Sequence, residues 1–139
     1  MAAVMQWYEG TQLLERERMQ KSFNDATRSH YTIRQEDWRP LRIGDSNIPG
    51  YFWIPLSDDE DGAWSSYWMK IEAGARGPVH RHGTTELLVV HEGVLSDSDG
   101  ATFTAGDVLT YAAGSNHATS SDTGCVVLVV ARTGSTLAD

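Results

Sequence analysis

Residues 74–93 read GARGPVHRHGTTELLVVHEG, running from Gly74 through His80, His82 and Glu86 to Gly93. In an extended chain successive side chains point to opposite faces, so His80 and His82 project to one side and Arg81 to the other. Glu86 shares their parity if the chain stays extended past Gly83 or re-enters a sheet in register. Two imidazoles and a carboxylate then converge on one wall. That donor set suits iron, manganese, nickel or zinc and leaves coordination positions for a substrate or oxygen. Taken alone, two histidines on a strand read as surface decoration or as a hydrogen-bonded core imidazole. Here glycines punctuate both ends of the stretch, and His117 supplies a further imidazole from another strand.

Working outward, the flanking sequence predicts strand after strand. Before the histidines, Tyr67, Met69, Ile71 and Ala73 alternate with Trp68, Lys70 and Glu72, as in a half-buried strand. After them, residues 86–92 end at Gly93, and residues 94–97 lead through Asp99-Gly100 to residues 101–104 and Gly106, a hairpin meander. Residues 106–112, 116–120 and the apolar run 125–131 complete the set. Many short strands with glycine turns point to an all-β barrel or sandwich. His91 has the parity opposite to Glu86 and should face away from the donors.

Toward the amino terminus the pattern weakens. Residues 11–23 (TQLLERERMQKSF) combine good helix formers with mixed charges and predict a short solvated helix. Residues 31–34 and 38–43 read as short edge strands interrupted by Pro40, and residues 48–56 (IPGYFWIPL) as an aromatic-rich strand. Residues 57–62 (SDDEDG) form an acidic, solvated loop. The expected organisation is a helical extension over 1–30, one barrel over 31–133 and a flexible tail over 134–139.

The 139 residues allow one domain, and a net charge of -8 disfavours nucleic acid and anionic membrane partners. Cys125 is the single cysteine, so neither an internal disulfide nor a thiolate metal cluster can form, and it reads as a buried small hydrophobe. The first residues lack a cationic segment followed by a long apolar run, and no stretch approaches the roughly 20 apolar residues of a membrane span, which leads to an expectation of a cytoplasmic location.

The spacing Gly74-x5-His80-x-His82-x3-Glu86-x6-Gly93 reproduces the first motif of the cupin superfamily. Gly106 to His117 resembles the second, with Ala112 at the usual proline position and Ser121 at the usual asparagine. Residues 77–132 further resemble the cupin domain of ChrR-type anti-sigma factors, through residues 92–100 (EGVLSDSDG), Gly114-Ser-Asn-His117 and Gly124-Cys125. The separate zinc domain by which such factors grip a sigma factor has no counterpart in residues 1–60.

The resemblance implies a single-domain double-stranded β-helix, or jelly-roll barrel, in which His80, His82, Glu86 and His117 hold one divalent ion. Iron(II) or zinc(II) leads, with manganese(II) or nickel(II) as further options. It also implies kinship with small iron(II) dioxygenases that cleave β-diketones or hydroxylated aryl ketones. The leading expectation is a mononuclear metalloenzyme, dioxygenase-like, acting on a small ketone, diketone or other chelating molecule. Phe52, Trp68 and Tyr111 are the expected pocket residues. The competing expectation is a non-catalytic zinc-binding sensor. Metal binding through imidazoles should fall as pH drops through about 6. Aromatic and β-branched residues between positions 31 and 53 suggest a homodimer.

Overall fold

The computed structural model describes residues 28–58, 64–132 and 135–137. After a 3-10 turn at Gln35–Asp37 the chain forms β1 (Arg39–Ile43), β2 (Ser46–Asp58), β3 (Ser65–Ile71), β4 (Ala75–Arg76), β5 (His80–His82) and β6 (Glu86–Asp97). It continues as β7 (Thr102–Thr104), β8 (Val108–Tyr111), β9 (Asn116–His117), β10 (Thr119–Ser121), β11 (Cys125–Ala131) and β12 (Ser135–Leu137). The fold is the expected all-β cupin barrel, made of a curled nine-stranded sheet and a three-stranded one. Among the described residues no helix is long and apolar enough to cross a membrane. The helix expected at residues 11–23 lies outside the described residues.

Strand β11 explains the middle of the large sheet. Four of its seven residues are valine, whose branched Cβ packs well on a pleated surface. It pairs antiparallel along its whole length with β3 on one side and β6 on the other. Val127 and Val129 point inward with Met69, Ile71, Leu88 and Val90, all buried. Burying each such side chain contributes about 1.5–3 kcal/mol. On the opposite face Leu128 and Val130 are only half-buried, so β11 is less fully covered than its unbroken apolar run suggests.

Strand β6 joins the two ends of the barrel. Its first half lies between β11 and β8, its second half between β7 and β10. Gly93 sits at the changeover, with φ +79. A Cβ there would lie 2.1 Å from the Gly124 carbonyl oxygen, so the closing glycine of the first motif is required both by conformation and by close approach.

Two expectations are corrected. Residues 31–34 form no strand, and β1 starts at Arg39 as an edge of the large sheet, with an irregularity beside Pro40 that accommodates its missing N–H. The carboxyl-terminal residues were expected to be a flexible tail, yet Ser135–Leu137 pair with His82, Arg81 and His80 as β12. That pairing uses backbone groups of an exposed strand edge, which side-chain pattern does not report.

Candidate metal centre

Strand β5 lies between β12 and β9, and His80 is the cross-strand partner of His117. Directly paired residues on antiparallel strands place their side chains on the same face a few ångströms apart. His82, two residues on, joins them. The ring centroids stand 4.5 Å (His80 and His117), 4.7 Å (His82 and His117) and 5.0 Å (His80 and His82) apart. One ligating nitrogen from each lies within 4.8 Å of the others, so the three histidines could hold a metal ion. The second-motif turn is tied to the first: Gly114 N–H donates to the His82 carbonyl at 2.7 Å, and His82 N–H to the Ser115 carbonyl at 3.0 Å.

The departures at Ala112 and Ser121 are both compensated. The Ala112 carbonyl accepts from the Ser115 hydroxyl at 2.6 Å and from its N–H at 3.1 Å, closing the turn without proline. Ser121 is fully buried and donates to the Val94 carbonyl at 2.5 Å, tying β10 to β6.

Tautomers follow from the partners. His80 Nδ1 lies 3.2 Å from the Pro78 carbonyl oxygen, and His117 Nδ1 lies 3.2 Å from both oxygens of Asp97. Carbonyls and carboxylates accept, so both Nδ1 atoms carry hydrogen, and in the neutral rings both Nε2 atoms present a lone pair. Those two Nε2 atoms are 3.0 Å apart. This is roughly the separation of two donors each about 2.1 Å from a shared ion at a right angle. His82 is 1% exposed, and neither of its ring nitrogens has a hydrogen-bond partner. An orphaned buried nitrogen costs about 1–3 kcal/mol, and a cation facing it removes that cost. The residues present therefore fit a divalent metal.

Electrostatics agree. Burial lowers the His80 pKa to about 4, helped by the neighbouring His117. Burial likewise lowers His82 to about 4, with His80 and His117 adding to the effect. Both rings are neutral, and hence competent to bind metal, at physiological pH.

Glu86 is buried at the start of β6, and its Oε1 stands 3.7 Å from His82 Nδ1, outside hydrogen-bond reach. It does not fall within the three-histidine group. A cavity of about 40 Å³ opens beside His80 and Glu86, walled by Tyr51, Tyr67, Met69 and Leu88. None of the three expected pocket residues lines it. Phe52 pairs with Lys70 and Trp68 with Ile54, a register that points the neighbouring Tyr51, Tyr67 and Met69 into the barrel and these two out. Lys70 Nζ sits 5.0 Å above the Phe52 ring, and Trp68 packs against the exposed His91. Tyr111 lies behind the histidines instead, its ring stacked on His82 at 5.2 Å. His91 is thus remote from the cluster, His30 is exposed, and Cys125 is buried, with burial raising its thiol pKa.

Asp97 is the residue that sequence reasoning missed. It reads as the start of a polar hairpin turn, yet the β6–β10 register sets it opposite Thr119, two residues from His117. Burial raises its pKa, but hydrogen bonds from Tyr111 and His117 outweigh this and leave it below the ordinary carboxylate range. No local sequence signal announces a contact between positions twenty residues apart.

Fold and site together define a cupin-type barrel with a partly buried histidine cluster that could take a metal. A family model described as the ChrR Cupin-like domain matches residues 26–134, and the chain belongs to that family. Among curated proteins, none matches the sequence. Similar solved structures include an acetylacetone dioxygenase from Acinetobacter johnsonii, with TM-score 0.66 and 14% identity over 79% of this chain and 77% of that one. An RmlC-like cupin protein from Ralstonia eutropha gives TM-score 0.64 and 15% identity over 78% and 71% of the two chains. The polyketide cyclase RemF from Streptomyces resistomycificus gives TM-score 0.62 and 16% identity over 79% and 86%. At these identities the likeness is one of fold.

Proposed function

We propose that this protein is a mononuclear metalloenzyme acting on a small chelating organic molecule such as a ketone or diketone, with His80, His82 and His117 as metal ligands and Glu86 as a fourth. The observation that carries the reading is the pair of facing Nε2 lone pairs beside the unpartnered ring of His82. A bound divalent ion would supply Lewis acidity and, as iron(II), access to oxygen chemistry. The chain's own residues shape the rest. Tyr51, Tyr67, Met69 and Leu88 offer an apolar recess that excludes bulk water, while His80 and Glu86 form its polar end. Its size favours a small apolar group on the substrate, and the dioxygenase and the cyclase among the structural relatives support a catalytic role without choosing the reaction.

The test is metal analysis of untagged protein followed by oxygen uptake with iron(II)-loaded enzyme and a panel of β-diketones and hydroxylated aryl ketones. Substrate-dependent uptake supports dioxygenase chemistry. Metal binding without turnover, in a closed four-coordinate site, favours the second reading, a zinc-binding sensor, to which membership of the ChrR Cupin-like family lends weight.

We further propose a cytoplasmic homodimer. Of the residues that suggested pairing, Ile48 and Tyr51 are used inside the barrel, while Tyr31, Ile33, Trp38 and Trp53 remain half-buried. Light scattering showing the mass of one chain, unchanged on tenfold dilution, would exclude the dimer.

A further inference from the structure

We infer that Asp97 is a positioning residue of the metal centre, holding His117 in the ligating tautomer, and that Tyr111 locks it in place. The inference rests on the metal-binding reading above and assigns roles to two residues outside the ligand set.

Asp97 closes β6, where its backbone is anchored by the Asp97 N–H to Ala101 carbonyl bond at 2.9 Å and the Gly100 N–H to Asp97 carbonyl bond at 3.0 Å. Its carboxylate accepts from His117 Nδ1 at 3.2 Å, from the Tyr111 hydroxyl at 2.6 Å and from Ser98 N–H at 2.7 Å. Only an acceptor behind Nδ1 keeps hydrogen on that nitrogen and frees Nε2, which points at His80 Nε2. Tyr111 acts on two histidines at once. Its ring lies flat against His82 and 4.1 Å, centroid to centroid, from His117, while its hydroxyl fixes the Asp97 oxygen that His117 also uses. Ser98 closes the arrangement, its hydroxyl accepting from Ala118 N–H at 3.2 Å, next to His117. A carboxylate with this many donors has little freedom to turn, and the imidazole it holds inherits that order.

The experiment uses the full chain, zinc(II) as probe and a competing chelator, together with ¹⁵N spectra of the imidazole nitrogens in metal-free protein. In the native protein His117 should show a protonated Nδ1 and a bare Nε2. Asp97→Ala should mix the tautomers and weaken zinc binding about 10- to 100-fold. Asp97→Asn, whose amide oxygen still accepts, should keep the tautomer and lose less affinity. Tyr111→Phe keeps the ring on His82, removes the hydroxyl and should fall between; it carries the test if Asp97→Ala does not fold. Native affinity and an unchanged tautomer in Asp97→Ala, or in Tyr111→Phe where only that variant folds, would overturn the assignment. Failure of the native protein to bind zinc would instead overturn the metal reading, leaving the spectra to decide the role of Asp97.

Discussion

His80 and His117 face each other across the β5–β9 pair with their Nε2 atoms 3.0 Å apart, each held from behind through Nδ1. Two lone pairs at that distance repel unless a cation lies between or beside them. The first prediction follows from the third ring. His82→Ala should abolish stoichiometric metal binding, whereas His91→Ala should leave it intact, because His91 is exposed beside Trp68 on the outer face. Elemental analysis of the reconstituted proteins decides, and equal loss in both variants would contradict the strand register.

Glu86 separates a three-imidazole centre from a four-ligand one. Glu86→Gln keeps shape and removes charge, and should weaken metal affinity at least about tenfold without changing stoichiometry. Chelator competition with unchanged affinity would remove Glu86 from the ligand set and leave it as a wall of the adjoining cavity.

The depressed histidines set a pH window. With folded pKa values of about 4 for His80 and His82 against an ordinary 6.5, the unfolded chain binds more protons between those limits. Stability of the metal-free protein should therefore decrease as pH falls from about 6.5 toward 4 and gain no further dependence from these groups below that. Urea midpoints measured across this range should fall less steeply for His82→Gln than for the native chain; parallel curves would refute the burial argument.

Gly93 and Gly106 both have positive φ, yet only Gly93 meets another backbone. Gly106→Ala should cost about 1–3 kcal/mol from backbone strain alone, and Gly93→Ala clearly more, since the Gly124 carbonyl must move. Denaturant titration giving equal losses would show that the strand crossing is looser than the structure indicates.

The barrel was legible because its signals are local: alternation in residues 67–73, the valine run of β11, and glycines at fixed distances from the histidines. Parity alone puts His80 and His82 on one face and Trp68 on the face opposite Met69, and that parity, once applied to Phe52 and Trp68, removes both from the interior. The family resemblance rested on the same spacing and is met by the match over residues 26–134.

By itself, the amino-acid sequence determined most strands of the barrel and the face that His80 and His82 share, since side-chain period and turn chemistry act over a few residues. The tertiary structure alone decided that His80 pairs with His117, that Asp97 and Tyr111 stand behind them, and that Ser135–Leu137 add a strand beside the histidines. These are contacts between strands distant in the chain, set by sheet register and backbone hydrogen bonding, and neither leaves a periodic mark on side chains.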